Sequence, residues 1–388
     1  MKKYKIKKVL IFTTSRSDFG LLKLFIKKIR KNKNFKTFLA VTGSHLEKKK
    51  GYTIKEIKET TKIDFRINLS LTDDTSDKIL QSMSKFLLKL NMLLNKIKPS
   101  IIVILGDRFE LIPICYSALM KNIPIAHFNG GELTEGLIDD PIRHATTKLS
   151  HIHFVANEVY KKRVINMGEN PSKVFNIGGT SIDNIKKVNL LTRKDFEKKF
   201  NINLLSKNIL ITYHPLTLNL SQSYKEINNL LSVLKTYKSC GLIFTGNNID
   251  KGNELIIKKI KSFIRQNQNS FFIESMGHSN YISALNICDL IIGNSSSGIL
   301  EAPYFKKPII NIGNRQGGRV KAKCVIDCDA SEYRLRNIIH KCLQDKYKNT
   351  FKKIKNPYGT GNASNKAIKI LEKINFKELT LKKFYEKN

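Results

Sequence analysis

The chain has no run of eighteen apolar residues, and its opening string MKKYKIKKVLIFTT offers only VLIF before polar residues return. That is too short for a signal peptide or a membrane span, so a cytoplasmic protein without a membrane span is expected. Its six cysteines, at 115, 240, 288, 324, 328 and 342, form no CxxC pair, and several lie in apolar strings such as PICYSAL and LNICDLII. The pattern fits a reducing compartment and no structural zinc, with cysteine used as a small core residue. The spacings of His127, His144, His151 and His153 do not match HExxH, so no bound catalytic metal is expected. GxxxxGK[ST] and GxGxxG are also missing, which removes the Walker and dinucleotide fingerprints.

Acidic residues are scarce as well, 32 Asp+Glu against 69 Lys+Arg, for a formal net charge of +37. Such a balance ordinarily suggests a polyanionic partner. Here the excess is mostly lysine, spread through helical-looking pieces such as KLFIKKIRKNKNFK and YKNTFKKIKNPYG, with no aromatic-interleaved RNA motif. The reading is a solvated lysine-rich surface and no nucleic-acid partner, with enough residual charge to attract an anionic nucleotide.

What is present is a repeating alternation. KKVLIFTT, TFLAVTG, IIVILGD, IPIAHFNGG, HIHFVAN and VFNIGGT read as strands, separated by helical patterns that include one from Gly20 to about Arg30. A Lys- and Asn-rich stretch from about Lys186 to Lys207 interrupts, and NILITYHP, CGLIFTGNN, NSFFIESMG, CDLIIGNSS and PIINIGN resume. Continuous apolar strands with helical crossovers predict an α/β fold with parallel sheets covered on both faces. At 388 residues and 41% hydrophobic, the chain has material for two cores. The expected organisation is 1–187 and 188–365 as two doubly wound domains with a ligand cleft between them, and 366–388 as a C-terminal helix packing back on the first.

Ligands of open α/β sheets bind beyond the carboxyl ends of the strands. Arg16, Asp107, the stretch from Asn129 to Glu132, His214, the stretch from Gly246 to Asn248 and the serines from Ser295 to Ser297 all follow strand-like runs directly. Asp107 ends an apolar strand; pairing with Arg108 is its simplest structural use. Glu132, Asp139 and Asp140 crowd a Gly-containing connection that ends in Arg143 and His144. So many ionisable groups between core strands are costly unless paired or used, and paired carboxylates suit general acid and base work. In the second half, His214 stands before Pro215. Gly293 to Gly298 forms a small-residue turn that offers hydroxyls and N–H groups to a phosphate, with Glu301 one helical turn inside and Asn314, Arg315 and Arg319 after the next strand.

The strings SRSDFGLL, GDRFE, GGELTEGLIDDPIRHATTKLSHIHF, IGNSSSGILEA, INIGNRQGGR and YGTGNA occur in this order over essentially the whole chain. In this the sequence resembles the hydrolysing UDP-N-acetylglucosamine 2-epimerases, including bacterial sialic-acid pathway enzymes. The resemblance implies two Rossmann-like domains in a glycosyltransferase-B-like arrangement, and a UDP-sugar substrate. It implies elimination of UDP across C1 and C2, then hydration of the 2-acetamidoglucal to N-acetylmannosamine, without cofactor or metal. By motif it places Arg16, His214, Asn247, Ser295, Ser296 and Arg315 on the UDP, Glu301 on the ribose, and Tyr358 and Asn362 near the uridine. Asp107, Glu132 and Asp140 become the proton-moving candidates, supported by Arg143 and His144. Many relatives carry glutamate where HFNGGE has Asn129, which shifts weight onto Glu132. A 2,4-diacetamido-2,4,6-trideoxy sugar nucleotide is the alternative substrate, and a glycosyltransferase of the same fold the alternative class. A homo-oligomer, dimer or tetramer, is expected.

Overall fold

The computed structural model describes residues 6–47, 53–69, 75–134, 138–216, 219–246 and 253–386. The chain divides into two compact units, residues 1–184 with 361–388, and residues 185–360.

Among the described residues, the first unit holds a seven-stranded sheet: β1 (Lys7–Thr13), β2 (Phe35–Val41), β3 (Phe65–Arg66), β4 (Ile101–Leu105), β5 (Ile125–Phe128), β6 (Ile152–Val155) and β7 (Val174–Asn176). Every pairing is parallel, in the order β3-β2-β1-β4-β5-β6-β7. Alternation along the strands fills both faces. Val9, Ile11, Ile101 and Val103 meet Phe19, Leu22, Phe25, Ile26 and Ile29 of the helix Arg16–Arg30. Leu10, Phe12, Ile102 and Ile104 meet Phe86, Leu90 and Leu94 of the helix Ser76–Ile97 and Ile114 of the helix Leu111–Met120. Full burial of each such side chain stabilises the fold by about 1.5–3 kcal/mol.

The first helix begins at Arg16, four residues before the expected Gly20. Ser15 caps it by accepting from the Asp18 N–H, and the Asp18 side chain returns to the Ser15 N–H at 3.0 Å, a reciprocal capping box that apolar periodicity does not reveal. The chain's last long helix, Ala363–Lys373, belongs to the first unit. Its Ala363, Ala367, Ile368 and Leu371 join the core beside Phe25. The buried Asp183 carboxylate accepts from the N–H groups of Ala363 (2.9 Å) and Ser364 (2.7 Å), and so fixes where this helix starts. The division therefore falls at 184/185 and 360/361, against the expected 187/188 and 365/366.

The second unit holds a six-stranded parallel sheet among its described residues: β8 (Lys207–Thr212), β9 (Cys240–Thr245), β10 (Ser270–Ile273), β11 (Leu290–Gly293), β12 (Ile309–Ile312) and β13 (Val325–Cys328). Its order is β10-β9-β8-β11-β12-β13. Counted from its own first strand this is 3-2-1-4-5-6, the doubly wound dinucleotide-fold order, and six strands of the first sheet follow it too. The strand order of each sheet thus reverses once, at β1/β4 and at β8/β11, the places where ligands of such sheets bind, beyond the carboxyl ends of the strands. All six cysteines are buried and free.

Candidate active site

At the first switch point, Gly106 takes φ +90 directly after β4 and turns the chain outward at Asp107. Asp107 does not pair with Arg108. It accepts from the guanidinium of Arg143, while Arg108 forms a bidentate pair with the buried Glu110, 3.1 Å at each contact. Arg143, on the helix Asp139–Leu149, is only 1% exposed. Its second terminal nitrogen donates to the Glu132 carbonyl (3.0 Å), the Thr134 hydroxyl (3.1 Å) and Asp140 Oδ1 (3.4 Å). Asp140 also accepts from the Thr134 N–H at 2.6 Å and lies 3.3 Å from His144 Nε2 through its other oxygen. One buried cation therefore gathers Asp107, Asp140 and the backbone of Glu132, and His144 is drawn in through Asp140. The Glu132 side chain is itself buried.

Asp139, the residue before Asp140, belongs with this set although the sequence marked it only as part of a crowded acidic loop. Burial, then the nearby Asp107 carboxylate, raises it above the ordinary carboxylate value, against the pull of Arg108 and Arg143. His127 supports the floor. Its Nε2 lies 2.8 Å from the Gly106 carbonyl, which only accepts, so the ring carries its proton there, and burial lowers its pKa to about 3. Behind β1, Asp18 Oδ2 accepts from the N–H groups of Thr14 (2.8 Å) and Ser15 (3.0 Å), fixing the turn that presents Arg16. Arg16 is well exposed and pairs with Glu56 at 3.2 Å.

The second switch point lies between the loops after β8 and β11. His214 is buried, its Nδ1 has no hydrogen-bond partner, and burial followed by the Arg315 charge lowers it to about 4, so the ring is neutral near pH 7. Arg315 donates to the Asn294 carbonyl at 3.1 Å. Ser295 Oγ accepts from Ser297 Oγ at 3.0 Å, and Ser297 Oγ lies 2.6 Å from the Tyr281 hydroxyl. Ser295 and Ser297 line a small pocket with Thr212, Gly293 and Asn311.

Ser296 precedes a helix of only four residues, Ser297–Leu300, and Glu301 stands at its end rather than one turn inside. Pro303 explains this: it has no N–H to donate to the Ile299 carbonyl, so the α-helical ladder stops and the chain tightens into a 3₁₀ turn over Ala302–Phe305. Burial raises Glu301 to about 7. Tyr358 is buried and donates its hydroxyl to the Val320 carbonyl at 2.9 Å. Asn362 has φ +78, in a turn where Gly359 and Gly361 are also left-handed, and accepts from the Asn365 amide. Asn247 lies outside the described residues. No group of three or more His, Cys, Asp or Glu among the described residues is arranged to hold a metal ion, and none of the helices described is long and apolar enough to cross a membrane.

Two doubly wound parallel sheets, each with polar side chains gathered at its switch point, define a glycosyltransferase-B-like protein. Solved structures share this fold. A UDP-GlcNAc 2-epimerase from Neisseria meningitidis bound to UDP-GlcNAc superposes with a TM-score of 0.76 at 21% identity, over 95% of this chain and 100% of that one. The Staphylococcus aureus MnaA–UDP structure superposes at 0.79 and 18% identity, over 98% and 100%. Residues 27–372 match the UDP-N-acetylglucosamine 2-epimerase family, and the chain belongs to that family of enzymes. It is 40% identical to the Campylobacter jejuni GDP/UDP-N,N'-diacetylbacillosamine 2-epimerase (hydrolyzing), over 84% of this chain and 85% of that protein. It is 33% identical to the Escherichia coli polysialic acid biosynthesis protein P7, over 98% of each. A Legionella pneumophila UDP-N,N'-diacetylbacillosamine 2-epimerase (hydrolyzing) is 30% identical over 95% and 96%.

Proposed function

We propose that the enzyme is a hydrolysing 2-epimerase acting on a UDP- or GDP-linked 2,4-diacetamido-2,4,6-trideoxyhexose of the N,N'-diacetylbacillosamine type. The observation that carries the reaction class is the buried Arg143 cluster, in which Asp107 and Asp140 are oriented by one cation while Asp139 beside them is biased towards its protonated form. The names of the Campylobacter and Legionella relatives support the substrate.

In this reading the C1–O bond to the diphosphate breaks as the C2 proton passes to a carboxylate, leaving a C1=C2 double bond. Water then supplies hydroxyl to C1, and a proton reaches C2 from the opposite face. Two proton-handling groups are needed, one poised as acceptor and one as donor. Asp107 or Asp140 suits the first role and Asp139 the second, with Glu132 and His144 beside them. In the second unit neutral His214, Arg315, Ser295 and Ser296 receive the diphosphate, whose departure they assist. Within the same unit Glu301 meets the ribose hydroxyls and Tyr358 lies by the base; Arg16 and Asn362, in the first unit, are further candidates for the nucleotide. No step calls on a cofactor or a metal. A cytoplasmic homo-oligomer belongs to the same proposal, which fractionation and sedimentation velocity check.

A second reading, UDP-N-acetylglucosamine converted to N-acetylmannosamine for sialic-acid-type glycans, is favoured by the likeness to the polysialic acid protein over the full length. Incubation with UDP-N-acetylglucosamine and with UDP- and GDP-linked diacetylbacillosamine separates them. The expected result is a kcat/KM for a diacetylated substrate at least about 100-fold above that for UDP-N-acetylglucosamine, since a site built to bond the 4-acetamido group rejects a sugar lacking it. The reverse order selects the second reading. Release of nucleoside diphosphate only when an acceptor is added, with the sugar carried on that acceptor, points to a glycosyltransferase.

A further inference from the structure

We propose that Asn294 is a positioning residue that fixes His214, Ser295 and Arg315 relative to one another in the second unit. The inference rests on the reading of that unit as the nucleotide-binding one. Asn294 is fully buried directly after β11, and its hydrogen bonds run from its own loop to two others. Its Oδ1 accepts from the His214 N–H at 2.7 Å and its Nδ2 donates to the His214 carbonyl at 2.8 Å. Its own N–H donates to the Thr212 carbonyl at 3.2 Å. Its carbonyl accepts from Arg315 at 3.1 Å and from Gln316 Nε2 at 3.0 Å. The loops after β8, β11 and β12, three neighbouring strands, are thereby tied at one residue.

The chemistry demands asparagine. The paired contact with His214 needs one donor and one acceptor on the same planar group. Aspartate, of the same shape, would face the His214 carbonyl with a second acceptor, and leucine would leave both backbone groups unpaired in a buried place. Gly293 makes the approach possible. A Cβ there would stand 1.8 Å from the Thr212 carbonyl oxygen, so only glycine lets β11 bring Asn294 against the end of β8. Held this way, His214 keeps a buried ring whose Nδ1 has no partner, and Arg315 is anchored at the carbonyl of the residue directly before Ser295. Every polar group of Asn294 is bonded within the protein, so it acts through the residues it arranges.

The test is titration calorimetry with UDP and with GDP on the full chain, for wild type, Asn294→Asp, Asn294→Ala, the double variant His214→Ala/Arg315→Ala, and that variant carrying Asn294→Asp. The expected result is about a tenfold or greater loss of affinity in each single Asn294 variant, as for a broken buried hydrogen-bonded pair. In the His214→Ala/Arg315→Ala background the same substitution should cost less than about threefold, because a residue acting through those two has nothing left to act on. NMR of labelled histidine supplies a second readout: in Asn294→Ala the His214 ring should titrate closer to 6.5. Nucleotide affinity unchanged in both single variants, or a loss of equal size in the double background, overturns the inference. Should neither Asn294 variant fold, Gln316→Ala removes one contact to the Asn294 carbonyl; weaker nucleotide binding supports the inference and unchanged binding overturns it. A wild-type chain that binds neither nucleotide overturns the nucleotide reading and this inference with it, whereas binding by wild type with unaltered variants overturns this inference alone.

Discussion

On the proposed reading Arg143 serves both the reaction and the stability of the first unit, because a guanidinium 1% exposed holds two carboxylates in place. Arg143→Met keeps the volume and removes the charge. It should lower stability by about 1–3 kcal/mol in urea unfolding, since the Asp107 and Asp140 carboxylates left without their partner are partly solvated. It should also lower kcat by at least about 100-fold, through misplaced Asp107 and Asp140. A variant that loses stability while keeping kcat would separate Arg143 from the reaction. His127 gives a pH signature. Its ring titrates at 6.5 in an unfolded chain and about 3 in the folded one. Below pH 6.5 the unfolded chain therefore takes up a proton that the folded chain refuses, so stability falls as pH drops from 6.5 towards 3. The urea midpoint of His127→Gln should fall less steeply over that window than the wild-type midpoint. At this scale the sequence showed which residues stand at strand ends, Asp107, His214 and Arg315 among them. It did not show who pairs with whom. Asp107 meets Arg143 rather than adjacent Arg108, and the raised Asp139 and the hub at Asn294 depend on neighbours that only folding brings close.

Among the elements, the helix Ala363–Lys373 depends on a cap from far along the chain. Asp183→Ala removes the acceptor of two of its first N–H groups and should cost about 1–2 kcal/mol, read from the urea midpoint. Amide exchange in residues 363–373 should rise more than in the helix Ser76–Ile97; uniform exchange would contradict the cap's local role. Strand and helix alternation was legible because buried parallel strands are continuous apolar runs, as β1, β4 and β8 are. The ends were not: Arg16 begins its helix through the Ser15 and Asp18 reciprocity, and Pro303 cuts short the helix expected to carry Glu301.

For the whole molecule, the net charge of +37 should attract the proposed anionic substrate at a distance rather than at any one contact. Raising salt from about 0.02 to 0.5 M should lower kcat/KM several-fold and leave kcat within about twofold, because screening weakens encounter and spares the closed-in chemistry. Equal loss in both parameters would contradict that division. The two-unit organisation was legible from the lysine-rich break near residue 190. The return of residues 361–388 to the first unit was settled by the Asp183 cap and the apolar face of Ala363, Ala367 and Leu371. Both units serve one claim, that a nucleotide sugar loses its diphosphate and is inverted at C2. Turnover of UDP-N,N'-diacetylbacillosamine, and separately of UDP-N-acetylglucosamine, in D2O followed by proton NMR tests it most directly. The account predicts a released sugar of inverted C2 configuration carrying deuterium at C2, together with free UDP; a released sugar that retains protium at C2 would contradict it.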